Sequence, residues 1–410
     1  MTQAISVSGR RSSELKIVAP VCAAHFLSHY YMIMLAPLFA FVRADYGVSY
    51  TDLALALAVF NVVSAALQTP AGFLVDRIGG RLVLIAGVAL GSAAFAVAGV
   101  VNSFVVFVAM YAVAGLGNAA YHPADYSLLS DHSTPARLGH VFSFHTFAGI
   151  LGSAVAPATL LAMQSRFGWR GAYIGAAIIG FAVLALLLAQ RPLPAERPAE
   201  KRGAEAPAED AADGVPSTGG WRLLLTPPIV LNLCFFILFS VMGGLNSFLV
   251  VALGALYGTS DALANLALTG LLLMNALGVL VGGAVAARAS SQVAVAGLGL
   301  AFAGIATAVI GVINFSPFTL VLMTSLSGFF VGLIAPSRDL LVRASTPPGA
   351  FGRVFGFVST GLNIGATIAP MIYGMFMDRG APRAVFLFSA ACSILGIGTV
   401  LLGLPRQRRR

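Results

Sequence analysis

Charge is what this sequence has least of. Asp, Glu, Lys and Arg make up 10% of its 410 residues and hydrophobic residues 58%, and the mean hydropathy is +0.90. Soluble domains carry about a quarter charged residues, so a water-soluble fold of this length is excluded. The scarcity is also patterned. No charged residue occurs from Leu82 to Ala124 or from Ala289 to Ser337. Each gap has room for two membrane-spanning helices of ~20 residues and a short turn. Shorter charge-free stretches, Gly171–Gln190, Ala262–Ala287, Val354–Met377 and Ala384–Pro405, each fit one span. Cysteine is scarce as well. Cys22, Cys234 and Cys392 lie in or at the ends of different apolar runs and form no CxxC, so a disulfide framework has no support.

What is present is a series of twelve apolar segments, starting near residues 16, 51, 82, 104, 140, 171, 227, 262, 291, 317, 354 and 384. The leading stretch MTQAISVSGRRSSELK is polar and the first apolar run is a full span, so no signal peptide is expected. The fold class expected is an all-α membrane protein of twelve transmembrane helices. Basic residues set its orientation. With a cytoplasmic N-terminus, 19 of the 24 Lys and Arg residues fall inside and only Arg43, Arg166, Arg170, Arg379 and Arg383 fall outside. Both termini are then cytoplasmic in a bacterial inner membrane. The net charge of +9 is spread over loop ends, so it reads as a topology signal and no nucleic-acid partner is expected.

The stretch from Gln190 to Gly220 is rich in Pro, Ala, Glu and Gly and lacks apolar periodicity, the composition of a linker. Three parts follow: a six-helix half over 1–189, a cytoplasmic linker over 190–221 and a second six-helix half over 222–410. The halves repeat each other. GHVFSFHTFAGILGSAVAP from Gly139 and GRVFGFVSTGLNIGATIAP from Gly352 share seven of 19 positions at an offset of 213. Pro123 matches Pro336, Arg166 matches Arg379 and Arg170 matches Arg383. Nearer the front of each half the offset is 211, pairing Gly72 with Gly283 and Arg77 with Arg288. Six spans per half give the repeats the same orientation, the plan of transporters that bind a solute between two halves and rock around it.

Between the second and third segments stands GFLVDRIGGR, from Gly72 to Arg81. Glycines permit a tight turn there, Asp76 can accept hydrogen bonds, and Arg77 and Arg81 can anchor the turn at the membrane surface. The chain here resembles the major facilitator superfamily, whose signature loop has the form G-x-L-x-D-R-x-G-R-R. Gly72, Leu74, Asp76, Arg77, Gly79 and Arg81 fit it, and the second half has Ala287 where the first has Asp76. The resemblance implies the two-times-six-helix fold and a latch at this loop, placed on the first half. HFLSH, GLGNAAYHPADYSLLS and FSFHTFAGILGSAVAP further resemble the fosmidomycin-resistance branch of efflux proteins through Gly115, Gly117, His122 and Pro123. Ala124 departs from that branch, which usually has an acidic residue there, and Asp125 follows.

All six histidines lie in the first half. Their repeat partners do not titrate near neutral pH: Phe236 for His25, Ser240 for His29, Ala335 for His122 and Val358 for His145. The scaffold therefore builds these helices without imidazole. His25 and His29 share one helical face, as do His122 and Asp125. Histidine titrates near neutrality and an intramembrane acid usually faces a wet cavity. His25, His29, His122, Asp125 and His145 are thus expected to handle protons. The plainer alternatives are packing histidines and an Asp125 paired with an arginine. His132 and His140 flank a polar turn and are expected to be solvated. Cys22, His25 and His29 also follow a ligand-like i, i+3, i+7 spacing, but a metal site needs donors from another helix and none is assigned.

Arg338 occupies the repeat position of Asp125 and can grip a carboxylate or phosphonate in bidentate fashion. Its alternative role is to neutralise Asp339. Arg338, Asp339, Asn246, Asn363, Tyr30 and Tyr31 form the expected solute-binding set. The function expected is proton-coupled transport of a small anionic organic or drug-like solute by a monomer in the lipid bilayer. Export is favoured, and uptake of an organic acid is the alternative. A membrane-embedded enzyme would lack a nucleophile, and the absence of a GxxxxGK[ST] loop argues against ATP as driving force. No cofactor is expected.

Overall fold

The computed structural model describes residues 2–133, 135–190, 220–347 and 351–403. The expected linker lies outside these residues over 191–219. The described chain is helical: α1 Thr2–Met32, α2 Phe39–Tyr46, α3 Tyr50–Ile78, α4 Gly80–Val100, α5 Phe104–Asn118, α6 Tyr121–His132, α7 Pro135–Ala189, α8 Gly220–Leu224, α9 Pro227–Gly243, α10 Leu245–Tyr257, α11 Asp261–Arg288, α12 Gln292–Val312, α13 Pro317–Ala344, α14 Phe351–Asp378 and α15 Pro382–Leu402.

Ten segments of these helices are apolar and long enough to cross a membrane. One of them, Phe144–Ala189, has 46 residues, about 69 Å of helix at 1.5 Å per residue, twice a hydrocarbon core. It breaks at Gly168, where φ is +70° and ψ 173°, so it is two spans. The helix α14, 28 residues long, supplies the twelfth. Several spans are themselves interrupted: α1 and α2 share one, α5 and α6 another, and α9 and α10 a third.

The contacts gather into two compact units. One holds the described residues up to Gly47 and from Val59 to Gln190, and the other holds Val48–Ala58 with the described residues from Gly220 onward. Each unit is inverted relative to a soluble protein. Large apolar side chains such as Val105, Phe167, Phe318 and Leu402 are more than 70% exposed, while His25, Asp125 and His145 are buried. Lipid as solvent explains the outer face, because backbone polar groups are satisfied inside each helix and tails accept apolar side chains. Serines cap the polar ends: Ser103, Ser260, Ser291 and Ser316 each accept a hydrogen bond from the backbone N–H three residues on.

The internal repeat recurs as geometry. A Cβ on Gly152 of α7 would lie 2.1 Å from the carbonyl oxygen of Phe26 on α1; one on Gly365 of α14 would lie 2.6 Å from that of Ile237 on α9. A Cβ on Gly115 would likewise lie 2.5 Å from the carbonyl oxygen of Phe60, and one on Gly328 2.0 Å from that of Leu271. Each pair is related by the offsets of 213 and 211. Both units thus use the same glycines to bring the same two helices into backbone contact, the small-residue packing typical of membrane helices.

Candidate functional site

The first unit brings all five expected proton-handling residues together. They come from three helices: His25 and His29 from α1, His122 and Asp125 from α6, and His145 from α7. Asp125 is completely buried. Its Oδ2 lies 2.9 Å from His145 Nε2 in a hydrogen bond and 3.3 Å from His25 Nδ1. The rings of His25 and His145 stack with centroids 3.7 Å apart. His29 and His122 flank His25 at 4.8 and 5.3 Å. Asp125 therefore pairs with imidazole and not with an arginine. His25 Nδ1, His122 Nδ1 and Asp125 Oδ1 are buried and make no hydrogen bond among the described residues. Orphaned polar atoms of this kind are costly, and these three lie in one cluster.

Local sequence explains the placement. Pro123 has no N–H to offer the carbonyl of Ala119, which removes one helical hydrogen bond at this point of the span. The fourth span breaks at Ala119–Ala120 and α6 starts at Tyr121. In the second unit Pro336 sits inside the continuous α13, so proline alone does not force the break. On α7 the residues His145, Gly149 and Ser153 recur every four positions and form one face toward α1. Ser153 Oγ reaches His29 Nδ1 at 3.5 Å and its carbonyl at 3.4 Å. A Cβ on Gly149 would lie 2.7 Å from His25 Nε2 and 2.8 Å from His29 Cδ2. Gly149 escapes sequence reasoning because a glycine in an apolar run carries no chemical signal; only its repeat partner, Leu362, marks it as different.

The donor atoms of His25, Asp125 and His145 lie within 4.8 Å of one another, a spread that ligand sets also show. Two of them are joined by the His145–Asp125 hydrogen bond. Cys22 is not in this set.

In the second unit the corresponding position holds Arg338. Its guanidinium carbon lies 4.7 Å over the ring of Phe236 and 5.2 Å over that of Phe239. Its Nε donates to Asp339 Oδ1 at 2.9 Å. Phe236 is the repeat partner of His25, so the His25–Asp125 contact of one unit and the Phe236–Arg338 contact of the other are the same contact with different chemistry. The aromatic shelf was not expected; a phenylalanine in an apolar span reads as lipid-facing or core.

The remaining expected solute ligands are placed as follows. Tyr30 and Tyr31 are buried packing groups: the hydroxyl of Tyr30 is paired with Thr159, and that of Tyr31 with Ser92 and the Ala176 carbonyl. Burying a phenol demands such partners, and both hydroxyls are consumed inside the unit. Asn246 is half-buried in the first turn of α10. Asn363 is exposed on α14, its carbonyl accepting from Thr367.

The signature turn forms between α3 and α4. Gly79 has φ +89° and ψ 146°, a conformation left to glycine, and it lets α4 begin at the next residue. A Cβ on Gly72 would lie 4.0 Å from Pro123 Cβ, and Arg77 is exposed. Arg81 reaches the end of α7. Its Nη2 donates to the carbonyls of Leu187 and Gln190 at 2.9 and 3.1 Å, because the last carbonyls of a helix lack intrahelical partners and a guanidinium supplies them. The side chain of Asp76 lies outside the described residues.

Comparison with known proteins agrees with this architecture. Over 139 residues the chain is 33% identical to a "Probable L-galactonate transporter" of Escherichia coli (strain K12), covering 34% of this chain and 31% of that protein. It is 26% identical over 171 residues to the "Probable sulfoacetate transporter SauU" of Cupriavidus necator, covering 41% and 40%. A "Multidrug resistance protein B homolog" of Mycobacterium tuberculosis is 28% identical over 159 residues, covering 38% and 28%. The matches thus span about a third of the length of these curated relatives. Among solved structures, a bacterial homolog of the human lysosomal transporter Spinster, inward-facing and occupied, superposes with a TM-score of 0.78 at 15% identity, covering 94% of this chain and 96% of that one. The nucleoside transporter NupG superposes with 0.76 at 13%, covering 95% and 100%. At such identities these two speak for the fold alone. Two of the three curated relatives are named as transporters. The family model described as Major Facilitator Superfamily matches residues 21–255 and 231–410; with twelve spans, a repeated pair of helix crossings and the signature turn after the second span, this chain belongs to that superfamily.

Proposed function

We propose that the protein is a proton-coupled secondary transporter of a small organic anion in a bacterial inner membrane. The observation that carries the proposal is Asp125, fully buried in the first unit and held between two imidazoles. An acid at the centre of a span costs ~2.5–3.5 kcal/mol on insertion scales. Histidines, which gain and lose protons near neutrality, are the partners that make such a carboxylate a store for a moving proton. His29 and His122 extend the store on either side of His25. Arg338, held on Phe236 and Phe239, is the group for the solute anion. Two relatives are named for organic anions, galactonate and sulfoacetate, which supports a carboxylate or sulfonate head.

Uptake of such an anion, driven by inward proton flow, is one reading; the two names carry no direction. Export of a drug-like compound is the second reading, favoured by the multidrug-resistance relative and by the fosmidomycin-resistance resemblance of the fourth and fifth spans. Purified protein in proteoliposomes decides. A panel of hydroxycarboxylates and sulfonates is offered with and without a pH gradient of either sign. Accumulation that follows the gradient supports proton coupling, and the sign that drives it gives the direction. Equal uptake with and without a gradient refutes it.

A further inference from the structure

His25 presents its two ring nitrogens to two different places. Nδ1 faces Asp125 at 3.3 Å. Nε2 faces the bare Cα of Gly149, where a Cβ would stand 2.7 Å from it and 2.8 Å from His29 Cδ2. Asp125 is fully buried, His25 nearly so, and His29 is only half-buried. Exposure thus rises along the series Asp125, His25, His29. The stretch of space that joins His25 Nε2 to the His29 ring is the space a side chain at residue 149 would fill. The second unit makes the contrast plain. There Leu362 stands where Gly149 is, Phe236 where His25 is and Ser240 where His29 is, and Ser240 spends its hydroxyl on the Leu362 carbonyl. The glycine and the two imidazoles occur together in one half and are absent together from the other.

We infer that His29, His25 and Asp125 form a proton relay in that order, and that Gly149 is the positioning residue that keeps its narrowest step open. The inference rests on the proton-coupled reading above. In the step, the 3.3 Å contact between His25 Nδ1 and Asp125 Oδ2 closes to a hydrogen bond, a proton delivered from the His29 side bonds to His25 Nε2, the Nδ1–H bond breaks, and that proton passes to Asp125 Oδ2. The imidazole ends neutral in the opposite tautomer, the carboxylate ends protonated, and a reverse transfer or a tautomer exchange resets the ring. His145, stacked on His25 and hydrogen-bonded to Asp125, orients the acceptor. Ser153 steadies His29 from the turn beyond Gly149. The other ionisable groups that bear on the relay are His122, Tyr121 and Tyr126 of α6 and Cys22 of α1.

The alternative for Gly149 is plain helix packing, and its neighbours separate the two. A Cβ on Gly152 strikes the backbone of Phe26, whereas the three atoms nearest a Cβ on Gly149 all belong to imidazole side chains. The readout is the ratio of gradient-driven accumulation to equal-pH exchange in proteoliposomes, with a thermal unfolding scan of each variant as the check on folding. His25→Phe (the residue the second half carries) and Asp125→Asn should each lower the ratio by about 100-fold or more, the lower end of what a positioned proton-transfer group contributes, and Gly149→Ala should lower it in the same direction. Wild-type accumulation that ignores the gradient overturns the proton-coupled reading itself, whereas an unchanged ratio in Asp125→Asn removes Asp125, and with it the relay, from that coupling. A lowered ratio in Asp125→Asn with normal ratios in Gly149→Ala and His25→Phe overturns the relay and leaves that reading standing. Should Gly149→Ala fail to show a folded transition, His25→Phe, which conserves bulk and removes both nitrogens, decides alone.

Discussion

At the scale of single residues the two units hold opposite charges at one repeat position, and each charge is set in a different surrounding. Asp125 is walled in by imidazoles, whereas the Arg338 side chain is 14% exposed and rests on two phenyl faces. A guanidinium over an aromatic ring gains roughly 0.5–2 kcal/mol and is held in one orientation, with Nε turned to Asp339. Arg338→Ala should weaken binding of the transported anion by about 10–150-fold, the value of a charge-assisted hydrogen bond of ~1.5–3 kcal/mol. Arg338→Lys keeps the charge but loses the planar fork, so it should recover only part of that affinity. Phe236→Leu should cost about 2–30-fold through loss of the shelf. Titration calorimetry of detergent-solubilised protein reads all three, and wild-type affinity in Arg338→Ala would remove this residue from the solute site.

At the scale of elements, backbone contact through glycine decides which helices can approach. The pairs Gly152–Phe26 and Gly365–Ile237 fix one crossing in each unit, and Gly115–Phe60 and Gly328–Leu271 fix another. At Gly152, Gly115 and Gly328 an added methyl meets backbone and not a flexible side chain, so the helices must separate. Gly152→Ala and Gly328→Ala should each destabilise the fold by about 1–3 kcal/mol, the usual cost of overpacking, and lower the unfolding temperature. Gly398→Ala, which meets nothing within 4 Å, should leave it unchanged or raise it slightly. The second unit offers a further test. Asp378, at the end of α14, accepts hydrogen bonds from the backbone N–H groups of Tyr50 and Thr51 at 2.7 and 2.8 Å and from the Thr51 hydroxyl. It serves as a cap for α3 supplied from another helix. Asp378→Ala should cost about 0.5–2 kcal/mol, read by the same thermal scan, and no change would mean that solvent replaces the cap freely.

At the scale of the whole molecule the distribution of Lys and Arg predicts the orientation. Reporter fusions after Gly168 and Gly380 should report the outside of the membrane, and fusions after Gly203 and Arg406 the cytoplasm. A reporter after Gly203 that reads outside would overturn the scheme. Residues 168 and 380 both carry positive φ, the local mark of a chain that ends one helix and turns into another, which is the place a loop between spans must be.

Class, span number and repeat follow from the sequence by itself, because each depends on properties that are local along the chain. Twenty apolar residues span a bilayer whatever surrounds them, and a charge-free run ends where a polar loop begins. The repeat is legible because identical positions recur at a constant offset. The pairing of His25 with His29 was legible too, since four residues make one helical turn. What no local pattern encodes is how far each helix is rotated and where it crosses its neighbour. That rotation brings His145 to Asp125, stacks it on His25, aims the bare Cα of Gly149 at two imidazoles and lays Arg338 on Phe236. It also turns the hydroxyls of Tyr30 and Tyr31 inward, away from the solute role their polarity suggested, and sends Arg81 to the end of α7. These contacts join residues 20 to more than a hundred positions apart, and only close packing of the helices, side chain into groove and glycine against carbonyl, selects them.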